Sequence, residues 1–296
     1  MNNEYHKKSI MRRIDHTKLF LEPPGKNYKG LQIDRESISY ITTPRNAITV
    51  SWIIRSNLDA IGVKDLSTIT IFDGTSGVGG DTIVFGHIYG HVIGCEIDSK
   101  RFKMLENNVN MYDLRNVTLV NDNCLKLMFD INYFDVVYLD PPWGGRDYKH
   151  QQNLTLTIGD KSVETIVNEL ISDASRSDPK LIVLKLPKNY DLQYLYEQTR
   201  SGSYELYMYE LEKMMIMVYR KSHNKIHASS GIGDIGVGDG TDNTGSAGVV
   251  PASTVSASTV SASTASGVQL PVRVPVSVVS SVASVASVAS AESSVS

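Results

Sequence analysis

The stretch TITIFDGTSGVGGDT, residues 68–82, decides the fold of this chain, because an apolar strand runs directly into a glycine-rich loop and then into a helix. Glycines let the loop turn tightly and let a ligand approach its backbone N–H groups, and the helix N-terminus supplies further donors. The loop has no GKS or GKT triplet, which excludes a P-loop. The residues of this stretch that we expect to hold a nucleotide-like cofactor are Asp73, Gly77, Val78, Gly79, Gly80 and Thr82.

Outward from this stretch, short apolar runs alternate with longer amphipathic segments from Thr68 to Leu186, the pattern of a parallel sheet covered by helices on both faces. Helices are predicted over SKRFKMLENNVNMYD and over SVETIVNELISDASR, which Ser162 would cap. The segments YELYMYELE and KMMIMVYRK predict a hairpin that ends the sheet. The fold class is therefore α/β and Rossmann-like, with a seven-stranded, mostly parallel sheet. Its first five strands are predicted at residues 67–73, 91–98, 117–122, 135–140 and 180–187.

The composition changes near residue 228, after which Gly, Ser, Ala, Val and Thr make up almost the whole chain. Such a segment has no large side chains to bury and cannot offset the entropy of ordering, so we expect residues 228–296 to be a low-complexity disordered tail. The preceding length suits one catalytic domain, which we place at residues 36–227. Residues 1–35 hold eight cations against four acids, and we expect a basic N-terminal extension there.

Cysteine usage and charge narrow the class of protein. Cys95 and Cys124 are the only cysteines, without a CxxC motif or a cysteine–histidine cluster, so neither disulfides nor a structural zinc is expected. The formal net charge of -3 favours a short footprint on any nucleic acid over tight binding along its length. With no apolar leader and no apolar run of membrane-spanning length, we expect an intracellular protein of the cytoplasm or nucleus, monomeric and metal-free.

Polar side chains follow the second and third predicted strands. Glu96 lies about 20 residues after the loop, where an acid can accept from both ribose hydroxyls of a nucleoside. Asp98 competes for that role, although it also suits the cap of the following helix. Asp122 and Asn123 follow the third strand, where a polar side chain can meet an adenine amino group. With Asp73 as the acceptor for an amino-acid amine, this set fits S-adenosyl-L-methionine better than a dinucleotide.

The fourth predicted strand ends in DPPW, residues 140–143. Pro141 and Pro142 stiffen the turn, so that the Asp140 carboxylate and the Pro141 carbonyl can both accept hydrogen bonds from one NH2 group. Holding such a nitrogen toward a sulfonium methyl is what methylation of a nucleic-acid base requires. Trp143 offers a flat face on which a base can stack, a contact of about 1 to 3 kcal/mol. The competing interpretation is a core tryptophan beside a rigid turn.

In these motifs, residues 28–220 resemble the trimethylguanosine synthases, which are RNA cap guanine-N2 methyltransferases. The family pattern DAFCGVGGNT is similar to DGTSGVGGDT here, and SPPWGGPDY is similar to DPPWGGRDY. The segment IDRESISYITTP, which contains Thr43 as a further cofactor candidate, and the triplet PKN at 187–189 also resemble family segments. The resemblance implies a class I S-adenosylmethionine-dependent methyltransferase fold, with m7G-capped RNA as the substrate.

The resemblance also implies roles for the substrate-binding positions. Trp143 would stack on 7-methylguanine, Lys188 would face the cap phosphates, and Asn189 is a further substrate-binding candidate. Two positions depart from the family, since Asp140 replaces its usual Ser and Arg146 replaces its Pro. The aspartate keeps an acceptor for the amine but adds negative charge beside the base. Arg146 either adds a phosphate contact or is simply solvated.

Two other interpretations remain open at this point. The first is methylation of adenine N6, or of guanine N2 in structured RNA or DNA, because the DPPW form is common among such methyltransferases. The second is a degenerate methyltransferase fold that binds RNA or a partner without catalysis, with the tail as the functional part. Against the second, every cofactor-holding and amine-holding position retains a chemically able side chain. The sequence therefore favours an RNA cap guanine-N2 methyltransferase that converts m7G caps to dimethyl- or trimethylguanosine caps.

Overall fold

A computed structural model describes residues 14–131, 133–145, 147–172 and 178–222. The predicted tail at 228–296 and the first 13 residues of the predicted basic extension lie outside the described residues, as does Arg146. Within the described ranges, no helix is long and apolar enough to cross a membrane. No group of three or more His, Cys, Asp or Glu side chains in those ranges is placed to hold a metal ion.

Nine strands are present in the described part of the chain. They are β1 Thr70–Asp73, β2 His91–Cys95, β3 Val117–Val120, β4 Val136–Leu139, β5 Thr157–Ile158, β6 Lys161–Ser162, β7 Leu181–Pro187, β8 Tyr204–Glu210 and β9 Met214–Lys221. Seven of them form one sheet in the order β3-β2-β1-β4-β7-β9-β8, and β5 and β6 form a separate hairpin. The neighbouring strands β3, β2, β1, β4 and β7 are parallel, whereas β9 pairs antiparallel with both β7 and β8. The prediction of a mostly parallel, seven-stranded Rossmann-like sheet ending in a hairpin is confirmed.

Six α-helices accompany the strands in the described residues. They are α1 Pro44–Ala60, α2 Gly80–Ile88, α3 Ser99–Met111, α4 Cys124–Asp130, α5 Val163–Ile171 and α6 Leu192–Gln198. Both predicted helices are present as α3 and α5, and Ser162 caps α5 by accepting from the Thr165 backbone N–H over 3.1 Å. Helices α1, α4 and α6 were not predicted from the sequence, and α1 is rich in β-branched residues of modest helix propensity. Packing of its apolar stripe decides the outcome, because Ala47, Val50, Ile54 and Leu58 are fully buried at helical spacing.

The sheet is covered on both faces, and its central strands are buried along their whole length. Adjacent residues of β1 point into different apolar layers: Ile71 packs in the layer that includes α1, and Phe72 packs in the layer that includes α5. A ligand can therefore reach these strands only at their ends.

The carboxyl ends of the parallel strands meet at one edge of the sheet. β1 is the point where the strand order changes direction, since β2 lies on one side of it and β4 on the other. In open α/β sheets, ligands bind in the crevice at such a switch point. Asp73 ends β1, and Glu96 and Asp140 follow β2 and β4 directly, so the fold brings three of the predicted site residues to this crevice.

Candidate active site

The loop between β1 and α2 is fastened to both neighbouring strands. The Gly74 N–H donates to the carbonyl of Tyr138 on β4, and the Ser76 N–H donates to the carbonyl of Cys95 on β2, each over 3.0 Å. Gly77 has a φ of +55°, which favours glycine, and a Cβ at that position would meet nothing within 4 Å. The loop therefore presents open backbone at the sheet edge, where a ligand can lie against it.

The N-terminal segment closes over the start of α2. A Cβ at Gly80 would lie 2.8 Å from the carbonyl oxygen of Thr42, so only glycine permits this approach. The next residue, Thr43, begins α1 at its N-cap position and is half-buried. This contact brings the predicted cofactor residue Thr43 close to the glycine loop, where Val78 is buried and Gly79 adopts a φ of +103°.

Glu96 joins the end of β2 to the glycine loop. Its Oε2 accepts from the Gly77 N–H over 2.9 Å, and its Oε1 accepts from the Asp98 N–H over 2.8 Å and from Arg101 Nε over 3.3 Å. Asp98 instead caps α3, since its Oδ1 accepts from the backbone N–H groups of Lys100 and Arg101. Of the two competing acids, Glu96 is therefore the one that faces the loop.

Asp122 and Asn123 lie beyond β3 with different surroundings. Asn123 is exposed, and its Oδ1 caps α4 by accepting from the Leu125 N–H over 2.9 Å. Asp122 is half-buried, with Oδ1 accepting from the Asn123 N–H over 2.7 Å. An adenine amino group needs an acceptor, and the Asn123 oxygen already accepts in the cap. Both Asp122 oxygens also have a neighbour, since Oδ2 lies 3.9 Å from Lys126 Nζ, so either side chain would use a remaining lone pair for the adenine.

Asp73 is a buried carboxyl group that hydrogen bonds to neutral partners. It is 1% exposed, its Oδ2 accepts from the Thr82 hydroxyl over 2.6 Å, and its Oδ1 accepts from the Thr75 N–H over 3.3 Å. Burial raises the pKa of Asp73 to about 7, the Thr82 hydrogen bond opposes this shift and the charge of Asp81 adds to it. A cationic ligand group at this position would bring a positive charge into direct contact with Asp73, whose described hydrogen-bond partners are neutral.

The predicted amine-binding turn is attached to the glycine loop. The Asp140 backbone N–H donates to Thr75 Oγ1 over 2.7 Å, while its carboxylate Oδ2 accepts from Lys185 Nζ over 2.5 Å. Burial raises the pKa of Asp140, and the neighbouring ammonium of Lys185 opposes that shift. Pro141 is buried and Pro142 is exposed, so the turn runs from the interior to the surface within three residues.

Trp143 lies at the mouth of this turn and is half-buried. It packs against both apolar layers and makes an edge-on contact with Tyr148, with 5.2 Å between ring centroids and planes 76° apart. Its indole Nε1 is buried without a hydrogen bond of ordinary geometry among the described residues, but its N–H is close enough to Asp140 to lower the pKa of that carboxyl group. The ring is thus fixed by packing while part of it stays accessible, which combines features of the stacking and core interpretations.

Lys188 and Asn189, two further predicted substrate-binding residues, already have hydrogen-bond partners within the protein. Lys188 Nζ pairs with Glu210 Oε1 over 2.7 Å, and both side chains are substantially exposed. Asn189 Nδ2 donates to the carbonyls of Tyr148 and Gln151 over 2.6 and 2.8 Å, and so ties the segment after the DPPW turn to the end of β7. Lys188 can exchange its partner at little cost, whereas Asn189 is placed to hold that segment.

Sequence reasoning missed a buried polar cluster beside Asp140. Asp81 Oδ2 accepts from the hydroxyls of Thr42 and Tyr138 over 2.5 and 3.0 Å, and Lys185 Nζ lies 3.8 Å from the same oxygen. Only one of these residues gives a signal in the sequence, because a lysine interrupts the otherwise apolar strand LIVLKLP. Its partners come from distant segments and look like ordinary turn and helix residues.

Comparison with known proteins places this geometry in context. A family model described as RNA cap guanine-N2 methyltransferase matches residues 68–225, more than half of the chain. An uncharacterized protein of Acanthamoeba polyphaga mimivirus is 34% identical over 208 residues, which cover 64% of this chain and 79% of that protein. The trimethylguanosine synthase of Schizosaccharomyces pombe is 28% identical over 173 residues, covering 56% of this chain and 67% of that enzyme. The solved structure of human methyltransferase 10 domain containing protein is 19% identical, with a TM-score of 0.48 over 65% of this chain and 90% of that one.

Proposed function

The chain belongs to the RNA cap guanine-N2 methyltransferase family, and from that premise we propose that it transfers a methyl group from S-adenosyl-L-methionine to the N2 amine of an m7G RNA cap. The products would be dimethyl- or trimethylguanosine caps. One observation carries the proposal: Thr75 of the glycine loop accepts from the Asp140 N–H over 2.7 Å, which holds an amine-accepting turn beside a cofactor-binding loop.

The glycine loop and its acids fit S-adenosylmethionine. When bound, this cofactor supplies a methyl group on a positively charged sulfur, ready for attack by a nitrogen lone pair. Gly77 offers open backbone for the amino-acid part, and the buried Asp73 carboxylate suits its ammonium. Glu96 is 7% exposed, and its Oε2, which has a single donor, retains a lone pair for one ribose hydroxyl. Its Oε1 already has two donors, so it would exchange the longer one, Arg101 Nε at 3.3 Å, for the second hydroxyl.

The Asp140 turn would hold the exocyclic amine. The Asp140 carboxylate and the Pro141 carbonyl accept from the two N–H groups, which directs the nitrogen toward the methyl carbon and localises its lone pair. With Asp73, Gly77 and Glu96 holding the cofactor, the nitrogen would take up the methyl group in exchange for one N–H proton, which would pass to water. This chain contributes orientation and electrostatics, and the reaction needs no covalent intermediate on the protein.

Trp143 would provide the platform for the base. Because 7-methylguanine is cationic, stacking on the accessible part of the indole gains about 0.5 to 2 kcal/mol of cation–π attraction beyond ordinary stacking. The edge-on contact with Tyr148 and the packing against both layers keep the ring in place without substrate. Lys188 would then exchange Glu210 for a cap phosphate, and Arg146 is a second candidate for that contact.

The test is methyl transfer to one short RNA made in three forms, capped with m7G, capped with unmethylated G, and uncapped. Radiolabel from S-adenosylmethionine should enter the m7G-capped RNA with a rate at least about tenfold above the other two, because only the cationic base gains the cation–π contact. Equal labelling of uncapped RNA would refute cap specificity.

Asp140 favours a second candidate function, the methylation of adenine N6 or of guanine N2 within structured RNA or DNA. A carboxylate accepts equally well from either amine, so the turn by itself does not separate the bases. Digestion of the labelled RNA to nucleosides separates them, because the label would then elute with N6-methyladenosine or with internal N2-methylguanosine instead of the cap.

A further inference from the structure

Lys185 is a buried cation in the middle of an apolar strand. Every residue of β7 is buried, and Lys185 is 3% exposed although its neighbours along the strand are all apolar. Its Nζ donates to Asp140 Oδ2 and to Thr42 Oγ1, each over 2.5 Å. Burying an ammonium is costly unless it is paired and hydrogen bonded, so these contacts account for its presence.

The ionisable groups around Lys185 come from three other elements, β4 with the turn after it, α2 and β1. Asp140 follows β4 and Asp81 lies in α2, with its Oδ2 3.8 Å from Nζ, while Asp73 ends β1. The phenol of Tyr138 on β4 faces the same cluster through Asp81. Burial alone would lower the pKa of Lys185, but Asp140 and Asp81 outweigh it and raise the pKa above its usual value. The side chain is therefore a fixed positive charge among three carboxyl groups.

This charge acts on the group that would receive the substrate amine. One carboxylate oxygen of Asp140 is held by Lys185, and the Asp140 backbone N–H is held by Thr75. The carboxylate consequently has one orientation, and its negative charge is balanced inside the protein before any substrate arrives. Lys185 also donates to the hydroxyl of Thr42, which belongs to the segment that closes over Gly80 at the cofactor loop.

We propose that Lys185 is a positioning residue for methyl transfer, which orients the Asp140 carboxylate and keeps it ionised as an acceptor for the amine. The inference rests on the proposed function, because it assigns Asp140 to the amine. Without the ammonium, Asp140 would share a buried cluster with Asp81 and Asp73 and would take up a proton. A protonated carboxyl group donates one hydrogen bond and keeps only a neutral, weaker acceptor, so it would hold the amine less strongly than the carboxylate does.

The experiment compares kcat, KM and the pH dependence of kcat for the full chain and for Lys185→Met and Lys185→Gln. The second variant keeps a polar side chain and serves if the first does not fold. We expect kcat at pH 7 to fall by about tenfold or more, with cofactor affinity nearly retained and the acidic limb of the pH profile displaced upward by more than about one pH unit. An unmoved pH profile in a folded variant would overturn the proposal.

A double variant separates positioning from a structural role. In the Asp140→Ser background the carboxylate is absent, so Lys185→Met should cost little further kcat, because the ammonium then has no acceptor in the turn to orient, although Asp81 and Thr42 still contact it. Loss of kcat by the same factor in both backgrounds would mean that Lys185 acts through the fold alone. The matched control is Lys180→Met, which breaks the ion pair with Asp135 at the opposite ends of β7 and β4 and should leave the pH profile in place.

A measurement without substrate distinguishes failure of this inference from failure of the proposed function. Carbon-13 NMR titration of labelled aspartate, with Asp140 assigned by its absence in Asp140→Ser, gives the pKa of that group directly. We expect this pKa to be higher in Lys185→Gln than in the unaltered protein. An inactive protein with that result would refute cap methylation and keep the Lys185 assignment, whereas equal pKa values in an active pair would refute only the assignment.

Discussion

The backbone N–H of Gly77 donates to Oε2 of Glu96 over 2.9 Å, so the glycine loop after β1 and the acid after β2 form one unit. The bond is made where the loop backbone is open, since a Cβ at Gly77 would meet nothing within 4 Å. A ribose held by Glu96 would therefore lie beside the loop that contacts the rest of the nucleoside. This contact predicts that Glu96, and not Asp98, contributes to cofactor affinity.

Replacement of Glu96 by alanine should weaken S-adenosylmethionine binding by about 1.5 to 3 kcal/mol, because two ribose hydroxyls lose a charged acceptor. Isothermal titration calorimetry checks this. The control is Asp98→Ala, which removes the cap of α3 and should lower stability by about 0.5 to 2 kcal/mol while cofactor affinity stays nearly unchanged. If Asp98→Ala weakens the cofactor and Glu96→Ala does not, the roles of the two acids are reversed.

The pKa of Asp73 predicts opposite effects of pH on ligand binding and on folding. Below about pH 7 the free protein carries a proton on Asp73. Binding of the cofactor ammonium must release that proton, so cofactor affinity should rise as the pH increases to about 7 and then level off. Because this folded-state pKa is raised above its unfolded value of 3.8, stability of the ligand-free fold should decline as pH rises between these values, by at most about 1.4 kcal/mol per pH unit.

Asp73→Asn should remove both effects of pH, which urea unfolding and cofactor titration at pH 5, 6, 7 and 8 would measure. The control is Asp65→Asn, which changes an aspartate outside the crevice whose pKa lies below its usual value. Both effects should persist in that variant. A pH-independent cofactor affinity in the unaltered protein would show that Asp73 does not receive the ammonium.

Trp143 can be observed separately because the chain has only two tryptophans. The other, Trp52, lies on α1 with the Arg55 guanidinium 5.3 Å from its ring centroid, and Trp52→Phe leaves Trp143 as the single indole. An m7G cap analogue should quench the remaining fluorescence and should bind Trp143→Ala more weakly by about 1 to 3 kcal/mol. Asp140→Ala should instead keep cap affinity and lose turnover. Unaltered cap affinity in Trp143→Ala would exclude the stacking role.

The ion pair between Lys188 and Glu210 predicts that the Glu210 carboxylate competes with the cap phosphates for the Lys188 ammonium. Lys188→Ala should raise the KM for capped RNA, Glu210→Gln should lower it, and both effects should shrink at high salt as the charges are screened. Neither change should unfold the protein, since an exposed pair contributes about 0 to 1 kcal/mol. The 7-methylguanosine nucleoside, which lacks phosphates, is the control substrate and should respond to neither. Insensitivity of capped RNA to both substitutions would remove Lys188 from the phosphate site.

The sheet and its switch point follow from the sequence because strand and helix periodicity are local signals. The alternation from Thr68 to Leu186 places Asp73, Glu96 and Asp140 at the carboxyl ends of three parallel strands, and topology alone then brings them to one edge. Helix α1 was not predicted because its β-branched residues weaken the helix signal in the sequence. Its tertiary packing, which the sequence does not show, overrides that low propensity.

The hydrogen-bond partners of the site were beyond sequence reasoning. Lys185 contacts Thr42 across 143 positions and Asp140 across 45, and nothing in either segment specifies that pairing. The contact of Lys188 with Glu210 likewise depends on the strand order β7-β9-β8, in which the start of β9 lies between the end of β7 and the end of β8. Residue types indicate which chemistry a position is able to perform, whereas long-range pairing decides which of its atoms are already occupied.

The most direct test of the central claim removes the atom that would receive the methyl group. A short RNA capped with 7-methylinosine has the cationic base and the phosphates of the m7G cap but lacks the N2 amine. We predict that it binds with affinity similar to that of m7G-capped RNA and accepts no methyl group, while the m7G-capped RNA yields N2-methylated 7-methylguanosine on digestion to nucleosides. Transfer of labelled methyl to the 7-methylinosine cap would contradict the assignment of this protein to guanine N2.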